Sequence, residues 1–187
     1  MIARFFRRGA ARRRPVEALH GAIVAAARQP GLYTDLAVPD TVEGRFEALC
    51  LHVYLVLRRL DRLPPPAADF AQELVDAVFA NLDANVRELG VSDVGVSKRM
   101  KKIASAFYGR ARSYDAALAA PDEAGLRTAL ARNILGPDSD PAGLAAYVRA
   151  AEAALAAVDF ESLLQAGPPF PEPAASARPA TVTDNPA

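Results

Sequence analysis

The chain has 187 residues, 51% of them hydrophobic, with 22 basic and 22 acidic side chains that cancel to a formal net charge of zero. This suits one domain with a real core, and it excludes a whole-chain electrostatic pull towards nucleic acid. The one cysteine, Cys50, excludes an intramolecular disulfide and fits a reducing compartment.

Residues 1–15 make a basic arm, in which Arg4, Arg7, Arg8, Arg12, Arg13 and Arg14 all precede the first acidic residue, Glu17. Pro15 is expected to end any helix there, and the apolar run of roughly 7–15 residues that a signal peptide needs is missing. Residues 16–29 read as the first helix, with Leu19, Ile23, Ala26 and Ala27 on one face and Pro30-Gly31 closing it. After a linker over 32–38, Asp40 is placed to cap a second helix, with Glu43 reaching back to it. Phe46, Leu49, Val53, Leu57 and Leu60 keep helical spacing along it. Leu51, Leu55 and Val56 add apolar surface on its other sides, which predicts a central helix, stopped by Pro64-Pro65-Pro66.

Residues 67–89 follow as a third helix, apolar at Phe70, Leu74, Val78, Leu82 and Val86, with Gly90 placed to cap its end. Its wet stripe is acidic: Asp69, Glu73, Asp76 and Asp83. A long helix is expected over 97–119, with Met100, Ile103, Phe107, Tyr114 and Leu118 on its apolar side. Pro121-Asp122-Glu123 opens a shorter helix to about residue 135, and Asp140-Pro141 opens a last one carrying Leu144, Val148, Ala151 and Leu155. From Gly167 the chain is aperiodic and rich in Pro and Ala, which predicts a disordered tail. The expectation is an all-α fold: an irregular bundle of about six helices over 16–166, between a basic arm and that tail.

Raw material for catalysis is thin. The histidines are His20 and His52, and Cys50 lies two residues from His52, roughly 200° around a helix, so the two cannot share a metal. A Cys50/His20 nucleophile pair is not excluded by spacing, but nothing else in the sequence supports it. His52 sits in an apolar run and reads as a core or boundary histidine, with partner contact as the other reading. No glycine-rich phosphate loop occurs. No cofactor, metal or small-molecule substrate is expected, and the chain reads as a non-enzyme.

Two surfaces stand out. On a helix Ile2, Phe5 and Phe6 cluster on one side among Arg4, Arg7 and Arg8, the pattern of an anchor lying on anionic lipid. A solubilising arm and a nucleic-acid contact are the other readings. The longest uncharged stretch of the central chain, residues 48–57, is half of the roughly 20 residues a membrane span requires. The second surface is Lys98-Arg99-Met100-Lys101-Lys102, which holds every lysine of the chain and is followed by Tyr108 and Arg112. Helical spacing puts Lys101, Ser105, Tyr108 and Arg112 on one side, a setting for an anionic partner. Internal pairing with the acidic stripe is the alternative.

Two long segments carry a resemblance. The first is Leu32-Tyr33, then Val38-Pro39-Asp40-Thr41-Val42-Glu43-Gly44-Arg45-Phe46, Leu51-His52 and Arg58-Arg59-Leu60. The second is Leu89-Gly90-Val91-Ser92-Asp93-Val94-Gly95-Val96, then the lysine block, Ala106-Phe107-Tyr108-Gly109-Arg110 and Tyr114. In that order and spacing the chain resembles the ubiquinol–cytochrome c chaperone family, over roughly residues 16–160. The resemblance implies a helical, non-catalytic assembly chaperone of the cytochrome bc complex (respiratory complex III), in a compact bacterial form. It would hold newly made cytochrome b, or another bc subunit, as a cytoplasmic protein peripheral to the inner membrane. A small partner protein and the ribosome, which serve mitochondrial relatives, are further partners it suggests. The implied partner-binding residues are Arg45, His52, Arg58, Asp93, Lys98, Arg99, Lys101, Lys102, Tyr108 and Arg110, to which the basic surface adds Arg112. The rival reading is a nucleic-acid or ribosome-binding module using residues 98–112, although Tyr108 is its only base-stacking candidate there.

Overall fold

A computed structural model describes residues 2–88 and 92–173, with side chains described from residue 13 onward. Every regular element among them is helical: α1 (Ile2–Ala27), α2 (Pro30–Thr34), α3 (Val42–Asp61), α4 (Ala67–Glu88), α5 (Asp93–Ala119), α6 (Ala124–Leu130), a π turn (Ala131–Leu135), α7 (Ala142–Ala156) and α8 (Phe160–Ala166). The all-α expectation holds, with the elements beyond six being short.

The central position of α3 follows from its sequence. Leu51, His52, Val53, Tyr54, Leu55 and Val56 are all buried in succession, so no face of the helix is wet at its middle. It packs against α1, α4, α5, α7 and the π turn. Its start differs from expectation by one residue. Thr41, with extended backbone, is the cap, its Oγ1 accepting from the Gly44 N–H at 3.0 Å. Asp40 instead accepts from Arg45 Nε at 2.6 Å, and that bond holds its carboxyl below the usual range. Gly44 is fixed by a close approach, since a Cβ there would lie 2.0 Å from the Pro39 carbonyl oxygen.

Pro15 does not end a helix, because α1 runs through it from Ile2 to Ala27. Proline's fixed φ is compatible with a helix, but its ring removes one hydrogen bond and crowds the carbonyl four residues back, so the helix continues at a cost. Pro30 opens α2 rather than only closing α1, and buried Leu32 pins that short helix to the core. α5 begins at Asp93, ahead of residue 97, because Ser92 caps it with Oγ accepting from the Gly95 N–H at 3.4 Å. The helix expected to reach residue 135 splits at Leu130 into α6 and a wider π turn. The turn ends at Gly136, whose φ of 95° favours glycine and whose N–H donates to Ala131 O at 2.8 Å.

α8 was not expected. It is too short to show a period, yet Asp159 caps it, accepting from the Ser162 N–H at 2.7 Å, and Leu163 is buried. The start of the expected tail is also structured, since Phe170 packs edge-on against His52 at 4.7 Å. The rest of that tail (174–187), the expected cap Gly90, and the side chains of Ile2, Arg4, Phe5, Phe6, Arg7 and Arg8 lie outside the described residues.

Two arginines tie helix ends together. Arg149 of α7 donates to the carbonyls of Leu118 (3.1 Å) and Ala120 (3.2 Å), satisfying the end of α5. Arg59 of α3 donates through Nε and Nη2 to Val158 O, at 2.8 and 2.6 Å, just beyond α7.

Candidate partner interface

Three of the expected partner-binding residues turn inward. His52 is fully buried on α3. One ring nitrogen, Nδ1, lies 2.7 Å from Ala48 O, and a carbonyl only accepts, so Nδ1 carries the proton. Nε2 therefore accepts from the Tyr147 hydroxyl, also at 2.7 Å, which joins α3 to α7. Burial holds the imidazole neutral, pulling its pKa down to about 4. Arg58, with a side chain only 7% exposed, donates from Nε to Glu152 Oε1 at 3.1 Å and pairs with Asp115 through Nη1. Arg110 donates from Nη2 to Glu47 Oε1 at 2.5 Å, a half-covered link between α3 and α5. Burial raises the Glu47 carboxyl above its usual range, against the pull of Arg110. These three residues hold helices together, and their polar groups are engaged inside the fold.

The remaining candidates face outward. Arg45 pairs with Asp40 and lies 5.7 Å from the centre of the Tyr33 ring. Asp93, at the start of α5, pairs with Arg87 at 2.5 Å, and Arg87 also takes Asp83 at 2.6 Å. Asp76 accepts from Gln72 at 2.9 Å. Lys98, Arg99, Lys101 and Lys102 are exposed, and among the described residues no ion pair joins any of them to a carboxylate. Among the described residues the alternative pairing with the acidic stripe is not seen, and four cations stand close together near the start of α5. Tyr108, 48% exposed, and Arg112 continue that helix beside the ring of Phe107.

The N-terminal half of α5 is flanked by clefts. On the α4 side, Lys101 and Met100 line a cleft of 540 Å³ with Phe79, Asp83 and Arg87. Further along, Tyr108 and Arg112 line a cleft of 610 Å³ with Tyr54, Asp61, Arg62 and Asp115. On the other side, Arg99 and Ile103 border a groove of 430 Å³ whose walls come from α1, α3 and α4. Lysine spacing located the ridge. The clefts, and the contribution of Arg28 to the groove, are assembled from four helices and left no local signal in the sequence.

Nothing in these walls resembles a reaction centre. Among the described residues no cluster of His, Cys, Asp and Glu is arranged to hold a metal. Cys50 is buried, and burial pushes its thiol up to about 12, so it carries no thiolate to attack with. No helix among the described residues is long and apolar enough to cross a membrane.

Comparison with known proteins places this arrangement. The family described as ubiquinol-cytochrome C chaperone matches residues 34–170. A crystal structure of the Cbp3 homolog from Brucella abortus is similar over 89% of this chain and 94% of that one, at 43% identity and a TM-score of 0.76. A search of curated proteins finds no match.

Proposed function

The chain belongs to the ubiquinol–cytochrome c chaperone family, and from that premise we propose that it holds newly made cytochrome b on the cationic ridge of α5. The family makes it a chaperone of complex III assembly; the client and the surface are the present reading. The observation that carries it is Lys98, Arg99, Lys101 and Lys102 standing exposed, with no carboxylate partner among the described residues, inside the family-matched segment. Exposed cations grouped on one helix suit acidic loops that a membrane protein extends from the bilayer, because the client would complete the ion pairs. Binding, orientation and release are the whole task, with no bond made or broken.

The same reading puts the protein at the cytoplasmic face of the inner membrane. The basic, aromatic start of α1, with Ile2, Arg4, Phe5, Phe6, Arg7 and Arg8, would lie on anionic lipid, each cation contributing about 1 kcal/mol. A small partner protein or the ribosome fits the clefts beside α5 as a further contact. The nucleic-acid alternative has only local charge in its favour.

A deletion strain tests the proposal, scored for bc-complex haem and cytochrome b in membranes. It is complemented with wild type or with the folded Lys98→Glu/Lys101→Glu/Lys102→Glu protein. Loss of cytochrome b that wild type restores and the charge-reversed protein does not is the expected result. Full rescue by the charge-reversed protein would remove the ridge from client binding. RNA binding that collapses at moderate salt, together with normal bc complex on deletion, would favour the alternative.

A further inference from the structure

The groove on the far side of α5 differs from the ridge in kind. Its floor is apolar: Val24, Phe46, Leu49, Leu82 and Ile103 are each only partly buried, and Val42 stands 81% exposed at its lip. Its volume of 430 Å³ lies inside the roughly 300–1,000 Å³ typical of ligand clefts. Its charged lining sits on the rim, with Arg28, Arg45 and Arg99 against Glu43, and Arg45 also paired with Asp40 just outside. Arg28 and Arg99 are exposed and have no ion-pair partner among the described residues.

Such a groove suits a polypeptide better than a small molecule. Clefts for small ligands orient them with convergent polar groups on their walls, whereas the polar lining here is confined to exposed side chains at the mouth. An apolar trough between helices is the receptor half of helix-in-groove recognition, in which anchors at i, i+3, i+4 and i+7 fill the floor. The excess of arginine at the rim sets the sign of the incoming helix.

We propose that the groove formed by α1, α3, α4 and α5 binds an acidic amphipathic helix of another polypeptide, its apolar stripe on Phe46, Leu49, Leu82 and Ile103 and its flanking carboxylates on Arg28, Arg45 and Arg99. Arg28 and Arg45 thereby belong to a second site, distinct in chemistry from the lysine ridge, and Arg99 stands on the border between the two. The Asp40–Arg45 pair is exposed and easily exchanged for a partner carboxylate, since surface pairs of this kind are worth little.

The probe is a fluorescent designed peptide with a leucine stripe flanked by glutamates. Its controls are a lysine-flanked version and a scrambled peptide of the same composition. Anisotropy is measured with the full-length chain. Saturable binding of the acidic amphipathic peptide alone is expected, weakened roughly tenfold or more by Arg28→Glu/Arg99→Glu. Asn85→Trp, an exposed position at the groove wall, should block binding without unfolding the protein, as circular dichroism would verify. The triple lysine-to-glutamate ridge variant should retain a groove that Asn85→Trp can still close, which separates this site from the ridge. Equal binding of the scrambled peptide, or binding indifferent to both groove variants, would overturn the proposal. So would self-association abolished by Asn85→Trp, which would give the groove to a second copy. Binding to anionic vesicles but not to the peptide would give it to lipid.

Discussion

His52 sets a pH dependence. Its folded pKa, about 4, lies below the ordinary 6.5, so the unfolded chain binds more protons between those values and stability rises with pH across that window. The full effect is on the order of 3 kcal/mol, present above pH 6.5 and lost as pH falls towards 4. Urea unfolding midpoints should therefore drop between pH 7 and pH 5, and His52→Gln should flatten that drop. Phe170 lids the same imidazole. Phe170→Ala should cost about 1–2 kcal/mol in apolar burial, and by admitting water it should raise the His52 pKa towards its ordinary value. Glu172 acts electrostatically on Tyr147, whose hydroxyl is already raised by burial, so the C-terminal segment influences both partners of the His52–Tyr147 bond.

The N-terminus of α3 concentrates several constraints within one turn. Thr41→Ala removes the cap and should cost about 1 kcal/mol, read as a shift in Tm. Gly44→Ala is expected to cost more, about 1–3 kcal/mol, because the added carbon meets backbone at Pro39 and not a yielding side chain. A thermal melt of Gly44→Ala matching wild type would show that residues 39–40 move aside freely. Arg45, one residue on, leaves the cap for the groove rim, so one short segment serves both folding and the proposed site.

Across the molecule, α5 is held unevenly. Its C-terminal half is tied by Arg110–Glu47, by the Tyr54 and Arg58 contacts to Asp115, and by Arg149 on its last carbonyls. Its N-terminal half lies between clefts and carries the lysines, which have no ion-pair partner among the described residues. Hydrogen exchange should accordingly be faster over residues 93–104 than over 105–119, and binding of an anionic client should slow the faster half. Uniform protection along α5 would argue that the ridge is as rigid as the rest.

The sequence by itself determined the all-α fold and the central place of α3, because helical period and burial on all sides are local properties of the chain. It also carried the family resemblance and placed the lysine block on an exposed helix. The tertiary structure alone decided which motif residues are buried in helix contacts and which are exposed. Arg58, His52 and Arg110 find their partners 94, 95 and 63 residues away, and no spacing rule reaches that far. α8 and the Phe170 lid escaped for a related reason: segments too short for a period are ordered by what they pack against.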